Sequence, residues 1–88
     1  MPDDTFSESA KLAKADRELN AIYSALLKKL NSSAREKLRV EQRNWVESRD
    51  NKADEAVRNK TDAENARIVR DRALRQLTEE RAAELRKR

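Results

Sequence analysis

Eighty-eight residues make one small domain, and 36% apolar residues with only three aromatics, Phe6, Tyr23 and Trp45, make a thin core. The chain has no glycine, and its one proline is Pro2, so hairpin turns and open sheets are excluded. With no cysteine and no histidine, disulfides, thiol catalysis and the common zinc sites are excluded too.

Ala, Leu, Glu, Lys, Arg and Gln dominate, the strongest helix formers, so the expected class is all-α. Three helix-start signals divide the chain. Thr5-Phe6-Ser7-Glu8 fits a capping box, in which the hydroxyl accepts an amide of the first turn and the glutamate reaches back. A first helix over roughly 6–30 then carries the seam Leu12, Ala15, Leu19, Ile22, Leu26 and Leu30, widened by Tyr23 and Leu27. The polar cluster Asn31-Ser32-Ser33 is the clearest break, and Ser33-Ala34-Arg35-Glu36 repeats the capping pattern. A second helix over roughly 33–58 offers Ala34, Leu38, Trp45, Val46, Ala53, Ala56 and Val57. Thr61-Asp62-Ala63-Glu64 opens a third, roughly 62–87, with Ala66, Val69, Ala73, Leu74, Leu77 and Leu85. Short connections favour antiparallel neighbours, hence a small three-helix bundle; a long two-helix hairpin with 33–87 continuous is the competing architecture.

Charged residues reach 43%, with 21 basic against 17 acidic for a net charge of +4. Both signs are interspersed along the chain. The bland reading is a solvated surface laced with same-helix pairs such as Lys14–Glu18, Lys37–Glu41, Arg43–Glu47, Asp54–Arg58 and Asp71–Arg75. Nucleic-acid binding has only the basic pI in its favour, without aromatic interleaving or a recognisable motif, and ranks last. No apolar run approaches membrane-spanning length and no signal-peptide core follows Met1, so the residues read as a soluble cytosolic chain; a mature exported one reads the same. Catalysis has little to stand on: there is no phosphate-binding loop, and the carboxylates are spread over solvated faces rather than paired in a cleft. No cofactor is implied.

The unusual feature is polar residues beside the apolar seams. Asp16 and Asn20 precede Tyr23 on the first helix, Gln42 and Arg49 flank Trp45 on the second with Asp50 adjacent, and Thr78 and Arg81 border the third stripe. An unpaired buried guanidinium is costly, about 3–5 kcal/mol when its partner is removed. The economical arrangement has Asp16, Asn20 or Asp50 meeting Arg49 or Arg81 across the bundle. Taken singly, each of these is as readily a snorkelling surface residue.

Ala15-Asp16-x-x-Leu19-Asn20-x-x-Tyr23-x-x-Leu26, then Leu38-x-x-x-Gln42-Arg43-x-Trp45-x-x-x-Arg49-Asp50, resembles the LprI-like family of bacterial lysozyme-inhibitor domains. The closing Leu77-Thr78-x-x-Arg81-x-x-Glu84-Leu85 is similar to that family's last helix, so the resemblance spans about residues 13–86. It implies a small helical, usually exported cell-envelope domain that in some members inhibits lysozyme, with a muramidase or another envelope protein as partner and a periplasmic or secreted location. The family typically has a cysteine three residues after its Arg-Asp pair and another shortly before its Leu-Thr pair. Ala53 and Ala73 stand there, which favours a reducing compartment and makes a cytoplasmic location the alternative. The competing function is a structural or self-associating helical module, for which Leu12, Leu19 and Leu26 would serve as a homodimer seam.

Overall fold

The computed structural model describes residues 7–58 and 62–88 and places three helices in them: α1 (Glu8–Lys29), α2 (Ser32–Ala56) and α3 (Ala63–Arg86). All described secondary structure is helical, and the two-helix alternative fails because α2 closes at Val57 before Asp62 opens α3. The chain runs up, down and up. Ion pairs Glu8–Arg75 and Glu18–Arg86 set α1 and α3 parallel, whereas Glu41–Arg81 and Asp54–Arg70 set α2 antiparallel to α3. α3 is the central element, packed along both α1 and α2.

The helix starts differ from the expected caps. Ser7, not Thr5, caps α1, its hydroxyl accepting the Ala10 amide at 3.0 Å. Asn31 caps α2 by accepting the Ala34 amide at 2.9 Å, so Ser33 lies inside the helix. Asp62 caps α3, its carboxylate accepting from the amides of Glu64 and Asn65. Asn and Asp outrank Thr as caps because their side chains reach a first-turn amide without a β-branch. Thr5 and Thr61 lie outside the described residues. The α1–α2 corner is made without glycine: Leu30 and Asn31 are both extended, with ψ of 151° and 173°. Arg35 braces it from the first turn of α2, donating its Nε at 2.7 Å to the Leu27 carbonyl, which also accepts the Leu30 amide at 3.2 Å.

The core gathers at this corner. Leu19 and Leu26 of α1, Leu38 of α2, and Ala82 and Leu85 of α3 form one cluster, with Ile22, Tyr23, Leu27, Leu30 and Trp45 packed around it. Leu19 and Leu26 are therefore consumed internally and cannot supply the homodimer seam. Ala82 belongs to the core although it was not among the expected seam residues, and Ala56 is exposed rather than buried. Ala53 has no exposed surface and Ala73 is half-buried. No described helix is long and apolar enough to cross a membrane.

Candidate functional site

The middle of the bundle, where α2 and α3 meet, is held by two arginines and one tryptophan. Thr78 and Arg81 do not border the α3 stripe; they are part of it, with 0% and 4% exposure. On a helix, positions 74, 78, 81 and 85 share one side, so Leu74, Thr78, Arg81 and Leu85 form a single buried row. Thr78 satisfies its hydroxyl by donating to the Leu74 carbonyl one turn back at 2.7 Å.

Arg81 makes the denser network. Its Nε donates to Gln42 Oε1 at 3.0 Å, Nη2 to Glu41 Oε2 at 2.7 Å and Nη1 to Glu84 Oε1 at 3.2 Å. The same Glu41 oxygen takes Arg88 at 2.7 Å, and Arg88 also reaches Glu84 at 3.0 Å. These contacts are charge-assisted, and the shortest fall in the range expected for a guanidinium on a carboxylate. They have electrostatic consequences: the bond from Arg81, joined by that from Arg88, holds the Glu41 carboxyl below its usual range, and Glu41 in turn raises Arg88.

Arg49 sits on the other side of Trp45. Its guanidinium carbon lies 5.3 Å from the indole centroid and that of Arg81 lies 5.8 Å away, both within cation–π reach. Arg49 Nη1 is 3.5 Å from both Asp16 Oδ1 and Thr78 Oγ1, and its Nη2 is 3.0 Å from Asp50 Oδ1. Arg49 thus touches all three helices, with longer and more exposed contacts than Arg81. Each buried side-chain polar atom among the described residues has a partner.

Of the nine polar residues singled out in the sequence, seven meet here: Asp16, Gln42, Trp45, Arg49, Asp50, Thr78 and Arg81. Asn20 does not; it follows Leu19 directly and is turned to solvent. Tyr23 packs on the apolar cluster instead. Sequence reasoning missed Glu41, Glu84 and Arg88, although Glu84 and Arg88 lie at i,i+3 and i,i+7 from Arg81 and Glu41 precedes Gln42. It also missed a second clamp at the far end. Glu8, only 14% exposed, accepts Arg72 and Arg75 at 3.3 and 2.8 Å, which lowers its pKa and raises that of Arg75. None of the five expected same-helix pairs forms: Arg75 takes Glu8 and Glu79 rather than Asp71, and Glu41 takes Arg81 and Arg88 rather than Lys37. For Glu41 the partner that wins is a cross-helix guanidinium at a buried wall, which is less screened than exposed Lys37.

This arrangement suits a fastening between helices. Both perturbed carboxyls are pushed toward the ionised form by arginines, the direction opposite to what a general acid at neutral pH requires. No group of three or more potential metal ligands converges among the described residues. No curated protein and no solved structure matches the chain. The profile of one protein family, described as Lysozyme inhibitor LprI, matches residues 6–85, a span that contains all three helices but for Arg86 and every residue of the network except Arg88. The chain belongs to the LprI lysozyme-inhibitor family.

Proposed function

We propose that the chain is a non-catalytic protein-binding domain that inhibits a muramidase of the bacterial envelope by occupying its substrate cleft. The observation that carries this reading is the family match over residues 6–85. The geometry is consistent with it in one respect: the arginines and tryptophan of the family-like motif are spent on joining helices, which braces the scaffold. A rigid ligand loses little conformational freedom on binding, which favours steric blockade. Export to the periplasm goes with this reading, and the absence of cysteine is compatible with it if the cross-helix ion pairs replace the constraint a disulfide would supply.

Turnover of a cell-wall substrate by purified muramidases tests the proposal. Stoichiometric inhibition is expected, stronger for a neutral or acidic muramidase than for a strongly basic one, because like net charges slow encounter with a +4 domain. Raising salt from 0.1 M to 1 M shortens the screening length from about 10 Å to about 3 Å and should narrow that preference. Failure to inhibit any muramidase, together with a concentration-dependent dimer in sedimentation, would replace this reading with a self-associating interaction bundle.

A further inference from the structure

The acids of α1 and its cations point in different directions. All three described acids on this helix turn toward neighbouring helices: Glu8 to Arg72 and Arg75, Asp16 to Arg49 at 3.5 Å, and Glu18 to Arg86 at 4.0 Å. On the opposite side from buried Ala15, Leu19 and Leu26, exposed Lys14, Arg17, Ala21, Ser24 and Lys28 follow one another at three- and four-residue spacing. Among the described residues Lys14, Arg17 and Lys28 form no ion pair, in contrast to Lys11, which reaches Glu8 at 4.0 Å. The outward sides of the other helices carry both signs, as with exposed Arg43 and Glu47 on α2 or Glu64 and Arg67 on α3. Interspersed charge in the sequence thus becomes a single-sign row along this line of α1, with half-exposed Asp16 and Glu18 lying to one side of it against arginines of the neighbouring helices.

We propose that this outward row of α1 is the surface that docks into the acidic substrate cleft of the muramidase. The inference rests on the muramidase-binding reading and names its contact face. Glycosidase clefts are built around paired carboxylates, and three unpaired cations over about 21 Å of helix, at 1.5 Å per residue, complement such a groove along its length. Ala21 and Ser24 between them are short, so the backbone of α1 can approach the groove wall while the longer Lys and Arg side chains reach its carboxylates. The row itself holds no acid; Glu18 and Glu79 lie to the Lys14 side of it, where they line one recess with Lys14. All three cations are exposed, so complementarity acts mainly on encounter rate and orientation.

The test compares two triple variants of equal charge. Lys14→Gln/Arg17→Gln/Lys28→Gln removes the row, and Lys37→Gln/Arg43→Gln/Lys52→Gln removes three exposed cations from α2. Both should keep the wild-type circular-dichroism melt, since none of the six makes an ion pair. Against a muramidase that the wild type inhibits, the α1 variant should lose about tenfold or more in affinity and show a shallower salt dependence, while the α2 variant stays within about threefold. Lys14 and Lys28 should be protected from acetylation in the complex and Lys37 should not. Equal losses in both variants, or no loss in the α1 variant, overturn the α1 assignment while leaving muramidase inhibition intact. No inhibition by the wild type overturns both. Binding of the wild type to phosphatidylglycerol vesicles or duplex DNA that the α1 variant loses, with muramidase inhibition unaffected, would reassign the row to an anionic surface.

Discussion

Arg81→Ala is the sharpest probe of what holds the three helices together. The residue is 4% exposed and is bonded to Glu41, Gln42 and Glu84. Hydrogen bonds to charged groups contribute about 1.5–3 kcal/mol each in favourable cases. That figure is too high here, because Glu41 and Glu84 are 45% and 53% exposed and regain water when the guanidinium leaves. Glu41 also keeps Arg88 at 2.7 Å. Taking roughly 1 kcal/mol for each of the three bonds and about 0.5–1 kcal/mol for the Trp45 contact gives about 3–4 kcal/mol. The buried stem adds to this, about 0.8 kcal/mol per methylene removed.

A domain of this size has on the order of 5–10 kcal/mol to lose, so the alanine variant should sit close to the threshold of unfolding at ambient temperature. Urea melts followed by circular dichroism at 222 nm measure it. Arg81→Met supplies the control: it keeps an unbranched stem and removes the guanidinium with its desolvation penalty, and should lose only about half as much. The two variants together separate pairing from packing. A loss below about 1 kcal/mol for Arg81→Ala would mean that the network fastens nothing, and the scaffold argument would fail with it.

Arg49→Ala should cost less than Arg81→Ala, about 1–1.5 kcal/mol in the same melts, since its cross-helix contacts are at 3.5 Å and its side chain is 18% exposed. Glu8 and Glu41 are held below the ordinary glutamate pKa of about 4.3, so the stability they supply is complete above that value and disappears as the pH falls through their folded pKa values; pH-dependent melts should show an acid limb that Glu41→Gln shortens. Asn31→Ala should cost about 1 kcal/mol, and Ser33→Ala only a few tenths, because the α2 cap is Asn31. Ala53 and Ala73 lie on facing stretches of antiparallel α2 and α3, bracketed by the Arg49–Thr78 and Asp54–Arg70 contacts, so Ala53→Cys/Ala73→Cys should oxidise to a bridge worth about 2–4 kcal/mol, read as a melting-temperature gain that reductant reverses.

Helix number, order and the main break could be read from residues because each is decided locally. A chain without glycine, with apolar residues at three- and four-residue spacing and polar clusters near positions 31 and 61, has few other ways to fold. The caps of α2 and α3 were misplaced by one or two residues because Ser and Thr in a capping-box pattern compete with neighbouring Asn and Asp, whereas in α1 one hydroxyl residue, Ser7, stands in for another. Arg49 could be singled out from its shared helical face with Trp45. Its partner Asp16 was one of three acceptors considered, and only the relative rotation of α1 and α2 selects it over Asn20. Glu41 escaped notice because, in sequence, it looks like a solvent-facing residue four after Lys37; Arg81 and Arg88 from the far end of the chain claim it instead. Such pairings depend on helix register across forty or more positions, which periodicity within one helix does not encode.

The division of labour between arginines follows from the same register. Arg49, Arg75, Arg81 and Arg88 each reach acids of other helices, and every such bond sets an acid against a cation and so balances its charge. Because α1 contributes acids to these bonds and no arginine, its inward side becomes the negative partner of α3 and its outward side is left positive. A +4 domain whose excess charge were spread evenly would have no preferred face toward an acidic groove. Here the interactions that close the bundle also polarise one helix across its axis. Stability and charge distribution are coupled in consequence: acid that protonates Glu8 and Glu41 costs folding free energy and leaves Arg72, Arg75, Arg81 and Arg88 with less carboxylate charge to balance them, so the inward side gains positive charge and the contrast across the bundle fades along the acid limb of stability.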